Sequence, residues 1–222
     1  MCLIVLAWHA HPDFPLIVAA NRDEFHRRPA APAAFWEDQP SILAGRDLEA
    51  KGTWMGVSRG GRFAAVTNYR GGTEPRAVES RGALVTRFLE GDAPPERYMK
   101  EAKGKAALYS GFNLLATDGK ELWWYSNRDG APRRLDPGIY GLGNTLLDAP
   151  EVENAKRGFE AAIRPAPAVE PLFAELERAK IVNPQYGTRC ATVLIRSKET
   201  ARYAERRFAP DGEAQETIHY VL

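Results

Sequence analysis

Apolar residues in this chain fall into short continuous runs and longer stretches with helical spacing. Residues 2–8 and 16–21 are almost wholly apolar and are separated by the polar segment His9-Ala10-His11-Pro12-Asp13. That pattern predicts a hairpin whose strands are covered on both faces. Residues 53–58 and 62–68 flank Arg59-Gly60-Gly61, and residues 112–117 and 121–126 flank Asp118-Gly119-Lys120. Both read as hairpins with glycine turns, the second of the Asp-Gly type. Residues 190–196 and 201–208 predict a fourth hairpin, and residues 216–222 a terminal strand.

Helical patterns lie between these. Ser80 is placed to cap a helix running to about Glu90 and ended by Gly91. Residues 96–107 predict a second helix that carries Gly104, residues 151–163 a third, and residues 170–180 a fourth. Leu172, Phe173, Leu176 and Ala179 share one face of the last. The proline-dense stretch 28–40 reads as an extended surface loop. Hairpins predominate and the helices come in two groups, so the expected class is α+β: a four-layer α-β-β-α sandwich of two mainly antiparallel sheets.

The length of 222 residues fits one globular domain spanning residues 1–222. A formal net charge of +1 supplies no whole-chain attraction for nucleic acid. No run reaches the roughly 18 apolar residues of a membrane span, so no transmembrane segment is expected, and the first apolar run lacks a basic leader. Cys2 and Cys190 are the only cysteines. They are too few for a disulfide scaffold and have no CxxC spacing for zinc, which fits a reducing, cytoplasmic setting.

Cys2 follows the initiator Met1. Removal of the methionine places a thiol and a free α-amine on one residue, and an α-amine with a pKa near ~8 is a usable base at neutral pH. A nucleophile carrying its own base is the arrangement of N-terminal nucleophile hydrolases, which cleave amides through an acyl-enzyme. The plainer reading of Cys2 is a small buried apolar residue. The hairpin brings the end of the second strand, Asn21-Arg22-Asp23-Glu24, beside Cys2. There the Arg22 guanidinium would lower the thiol pKa and hold a thiolate, and the Asp23 carboxylate would orient the amine.

Met1-Cys2, the Asn21–Glu24 tetrad, Ala65-Val66-Thr67-Asn68-Tyr69-Arg70 and Gly187-Thr188-Arg189 together resemble the NRDE family, also known as the transport and Golgi organisation 2 family. The resemblance spans essentially the whole chain and implies an N-terminal nucleophile hydrolase fold. Eukaryotic members are linked to haem trafficking and to lipid or acyl-coenzyme A metabolism. A more distant similarity is to cholylglycine hydrolases and penicillin V acylases. It implies roles for Cys2 as nucleophile, Arg22 and Asp23 as its supports, Asn68 and Asn144 as oxyanion donors, and Arg189 as a brace or substrate-carboxylate clamp. Asn21, Glu24, Tyr69 and Arg70 are then candidates for binding substrate. As alternatives, Asn68 and Asn144 cap strand ends or turns.

His9, His11, His26 and His219 have no metal-ligand spacing, so no metal is expected, and no CxxCH motif for attached haem is present. The chemistry narrows to two classes. One is a cysteine-type hydrolase of a small-molecule amide that requires no cofactor; the other is a non-catalytic carrier of haem or acyl-coenzyme A.

Overall fold

A computed structural model describes residues 2–71, 77–164 and 166–222. The chain divides into two compact units. One comprises the chain up to Arg28 together with Pro137–Leu222, and the other is Pro29–Asp136. Removal of Met1 concerns a residue outside the described ones.

The first unit contains a six-stranded antiparallel sheet built from β1 (Leu3–Trp8), β2 (Leu16–Phe25), β10 (Gly138–Leu142), β11 (Tyr186–Arg196), β12 (Ala201–Phe208) and β13 (Ala214–Val221). Their order is β10-β1-β2-β11-β12-β13. Helices α3 (Glu153–Ile163) and α4 (Val169–Glu177) cover one face. Leu3, Val5, Ile17, Ala191 and Val193 from the strands pack there with Phe159, Leu172, Phe173 and Leu176. The alternate positions of the first hairpin, Ile4, Leu6, Trp8, Leu16 and Val18, are buried as well. An apolar run without alternation is thus a strand with no solvated face.

The second unit has a seven-stranded antiparallel sheet, β3 (Ala30–Phe35), β4 (Ile42–Asp47), β5 (Met55–Ser58), β6 (Phe63–Asn68), β7 (Phe112–Thr117), β8 (Leu122–Ser126) and β9 (Arg133–Leu135), in sequence order. Helices α1 (Gly82–Glu90) and α2 (Pro95–Gly104) pack on it through Leu84, Val85, Phe88 and Met99, against Ala64, Leu114 and Tyr125. The glycine turns form as the sequence implies: Gly61 and Gly119 take φ of 83° and 90°, the left-handed region that glycine enters at little cost.

Several boundaries differ from the sequence expectation. The stretch read as a surface loop contains β3, whose Ala30–Asp47 and Phe35–Leu43 pairings with β4 outweigh its prolines. An edge strand tolerates proline because one row of its N–H groups has no ladder partner to lose. Strands β4, β9 and β10 carry too little alternation to stand out. Ser80 does accept a bond from the Gly82 N–H at 3.3 Å, but the helix begins at Gly82 without a side-chain cap. α2 starts one residue early because Pro95 suits a first turn, and a 3-10 turn at Ala106–Leu108 replaces its expected end. α4 ends at Glu177, leaving Ala179 beyond it. Among the described residues no helix is long and apolar enough to cross a membrane.

Candidate functional site

The Asn-Arg-Asp-Glu tetrad lies at the end of β2, which runs one residue further, to Phe25. β11 begins four residues earlier than its apolar run, at Tyr186, and pairs Tyr186 with Phe25, Gly187 with Glu24 and Thr188 with Asp23. The ladder thus takes up backbone groups that would otherwise need water. On the other side Leu3 pairs with Asn21, so Cys2 meets the chain at Arg22 and Asp23.

The contact is specific. The Cys2 thiol donates to the Asp23 carbonyl at 3.4 Å, and the Asp23 N–H donates to Cys2 Sγ at 3.4 Å. The sulfur is held by main chain, whereas the sequence pointed to side chains. Cys2 is half-buried, and its thiol pKa lies above the ordinary value of 9.0. Burial is the main cause and the Asp23 carboxylate the second; the bond from the Asp23 N–H and the charge on Arg22 pull the other way. This corrects the expectation of a depressed pKa. In the chain that carries Met1, desolvation outweighs the guanidinium and Cys2 is a neutral thiol.

Strand alternation divides the tetrad. Asn21 faces the helices, where its Nδ2 donates to the Leu176 carbonyl at 2.8 Å, near the end of α4. That bond satisfies one of the last helix carbonyls, so this side chain ties helix to sheet, which is not the substrate contact expected of it. Asp23 is buried and accepts from the Thr188 hydroxyl at 2.6 Å. The Thr188 Oγ1 in turn accepts from the Ile181 N–H at 2.9 Å. The Tyr186 hydroxyl donates to the Asp23 carbonyl at 3.2 Å, the same oxygen that receives the thiol. Arg22, also buried, projects to the opposite face. Glu24 is half-buried and accepts from the Phe25 N–H at 2.8 Å.

Arg189 occupies a bulge, since the β2–β11 register shifts between Thr188 and Cys190. The extra residue re-aims the side chain. Its Nη1 donates to the carbonyls of Phe25, His26 and Arg28, each at 3.1 Å. These bonds tie the 25–28 segment to β11. The Arg189 pKa is lowered, by burial first and then by the neighbouring Arg22. Asn144 is buried in the turn after β10. Ile4 pairs with Leu142, so Asn144 and Cys2 stand at the same end of the sheet.

Asn68, Tyr69 and Arg70 belong to the second unit. Asn68 closes β6 opposite Phe112 and is exposed, the Tyr69 N–H donates to the Gly111 carbonyl at 2.9 Å, and Arg70 is exposed. A cavity of about 430 Å3 opens beside Leu3, on the helix side of the first sheet, lined by Ala155, Ala179 and Ile181 with Glu175 and Arg178. Among the described residues no cluster of His, Cys, Asp and Glu suits a metal ion. Sequence reasoning assigned nothing to Tyr186 and Thr188. The Gly187-Thr188-Arg189 motif marked the place, but a hydroxyl shared between Ile181 and Asp23 exists only once the two strands pair.

Among solved structures, the chain is similar to the Caenorhabditis elegans ortholog of N-acylethanolamine-hydrolyzing acid amidase. The TM-score is 0.54 at 11% identity, covering 87% of this chain and 92% of that one. A C2A mutant of the conjugated bile acid hydrolase from Clostridium perfringens is matched with a TM-score of 0.56 at 10% identity, over 99% and 96% of the two chains. At these identities the likeness shows the fold alone, which is that of N-terminal nucleophile hydrolases. In sequence, the Transport and Golgi organization protein 2 homolog of Bos taurus is 35% identical over 243 aligned positions, covering 88% of each chain. The family model described as Transport and Golgi organisation 2 matches residues 1–210. The chain therefore belongs to the Transport and Golgi organisation 2 family.

Proposed function

We propose that this protein hydrolyses an amide bond in a small molecule, with Cys2 as nucleophile once Met1 has been removed. The observation that carries the reading is the seating of the Cys2 sulfur between the N–H and the carbonyl of Asp23. The names of the structural neighbours, an amidase and a conjugated bile acid hydrolase, point to the same reaction class.

In this mechanism the freed α-amine takes the thiol proton and Cys2 Sγ attacks the amide carbonyl. The oxyanion forms against the Asn144 amide, a kind of donor whose loss costs about 3 kcal/mol or more. The ammonium then returns its proton to the leaving amine, giving a thioester that water hydrolyses to free the acid and regenerate Cys2. Asp23 orients the amine, Arg22 supports the thiolate, and Arg189 holds the 25–28 segment in place. Asn21, Glu24, Tyr69 and Arg70 have no required part in the bond-breaking step.

A second reading has its own support. The raised thiol pKa in the Met1-bearing chain suits a non-catalytic protein that binds haem or acyl-coenzyme A. Arg22 and Arg189 would then serve a propionate or a phosphate. Intact mass of protein from cells, combined with turnover of an acyl-amide panel and titration with haem and acyl-coenzyme A, separates the two. The hydrolase reading expects loss of Met1, with turnover abolished by Cys2→Ser and by an N-terminal extension. Full-rate cleavage by protein that still carries Met1 overturns that mechanism.

A further inference from the structure

Three charged side chains are buried among the described residues: Arg22, Asp23 and Glu205. The first two belong to the Cys2 site. Glu205 is 1% exposed, on β12, two strands from the tetrad, and has no part in the mechanism above. A buried carboxylate is costly unless a cation and hydrogen bonds compensate it.

Register shows what it faces. Arg22 pairs across with Cys190, and Glu205 pairs across with Thr192. Cys190 and Thr192 are two residues apart on β11, so all four side chains share one face of the sheet. It is the face opposite Ala191 and Val193, which pack under the helices. The Arg22 and Glu205 backbones are about 12 Å apart by strand spacing and rise, within the joint reach of an arginine and a glutamate. Cys190 lies between them, 4% exposed, its thiol hydrogen-bonded to Glu205 and within electrostatic range of Arg22. Arg22 also acts on Cys2.

We propose that Glu205 is a positioning residue, the buried counter-charge that holds the Arg22 guanidinium where it acts on the Cys2 sulfur. This rests on the reading of Cys2 as nucleophile. The groups whose charge bears on the sites are Arg22, Asp23 and Glu24 from β2, Arg189 and Cys190 from β11, Tyr203, Glu205 and Arg207 from β12, and Tyr220 from β13. A chain of this kind needs no direct contact between Glu205 and substrate, since the guanidinium carries the effect.

The test is a double-mutant cycle on the rate of Cys2 alkylation by iodoacetamide, read by peptide mass spectrometry across pH 6–10 in the full chain. Arg22→Gln is expected to slow alkylation at neutral pH by about tenfold, the effect of one unit in thiol pKa. In the Glu205→Gln background the same change should alter the rate by less than about twofold, because the guanidinium is already unanchored. Equal effects of Arg22→Gln in both backgrounds overturn the proposal. If Glu205→Gln alone does not fold, recovery of folding in the Arg22→Gln, Glu205→Gln double variant supports the pairing. A double variant that stays unfolded while Arg22→Gln folds overturns it. Turnover does not enter this readout, so a failed hydrolase reading shows separately, as amide cleavage that survives Cys2→Ser.

Discussion

At the scale of the residue, the two cysteines have the same chemistry and opposite surroundings. Cys2 is half-buried at the start of β1, while Cys190 is sealed in β11. Burial raises both thiols, Cys190 more, because the Glu205 carboxylate further opposes its ionisation. Accessibility therefore separates them more than acidity does. Iodoacetamide should modify Cys2 at least about tenfold faster than Cys190 in the folded protein, and the two rates should converge in urea. The Cys2 rate should keep climbing with pH past 9.0, since a raised pKa leaves less thiolate at neutrality. Faster labelling of Cys190 in the native state would contradict the burial described.

At the scale of the element, the junction of β11 with the segment after α4 positions the Asp23 carboxylate. The Thr188 N–H donates to the Ile181 carbonyl at 2.9 Å, and the Thr188 hydroxyl bridges Ile181 to Asp23. Gly187 permits this approach: a Cβ there would lie 2.7 Å from the Ile181 carbonyl oxygen and 3.2 Å from His26 Nε2. Backbone cannot yield as a side chain can. Gly187→Ala is expected to destabilise by about 1–3 kcal/mol in urea denaturation. Gly104→Ala at the end of α2, where an added Cβ meets nothing within 4 Å, should instead stabilise by up to about 1 kcal/mol. Equal stability of Gly187→Ala and the parent protein would show that the junction is looser than its distances imply.

At the scale of the molecule, buried acids with raised pKa set a limit at alkaline pH. Cys190 and Tyr203 both lie well above their ordinary values of 9.0 and 10.0, by burial first and then by Glu205. The folded state thus keeps protons that the unfolded chain releases. The stability this represents is complete below about pH 9 and falls as pH rises, by about 1.4 kcal/mol per pH unit for each such group until it ionises in the fold. Thermal melting should drop from pH 8 to pH 10.5, and Cys190→Ala should flatten the first part of that fall. A pH-independent melting temperature across this range would contradict the raised values.

Local pattern alone determined the α+β class, the hairpins at residues 58–62 and 117–122, and the four helices. Apolar period and glycine turns are short-range properties, legible wherever a strand or helix buries a face. The tetrad was legible for the same reason, as polar residues at the end of a buried run, whereas Cys2 stood out by its place after Met1 and the Gly187-Thr188-Arg189 motif by its resemblance to the family. Pairing decided the rest. The extension of β2 through Phe25, the bulge that turns Arg189 toward three carbonyls, and the bond from Asn21 to Leu176 all depend on β11 and α4, more than 150 residues away in sequence. So does the sign of the Cys2 shift. The charges near it can be read from the chain, but the loss of water that outweighs Arg22 arises only when the chain folds around the thiol.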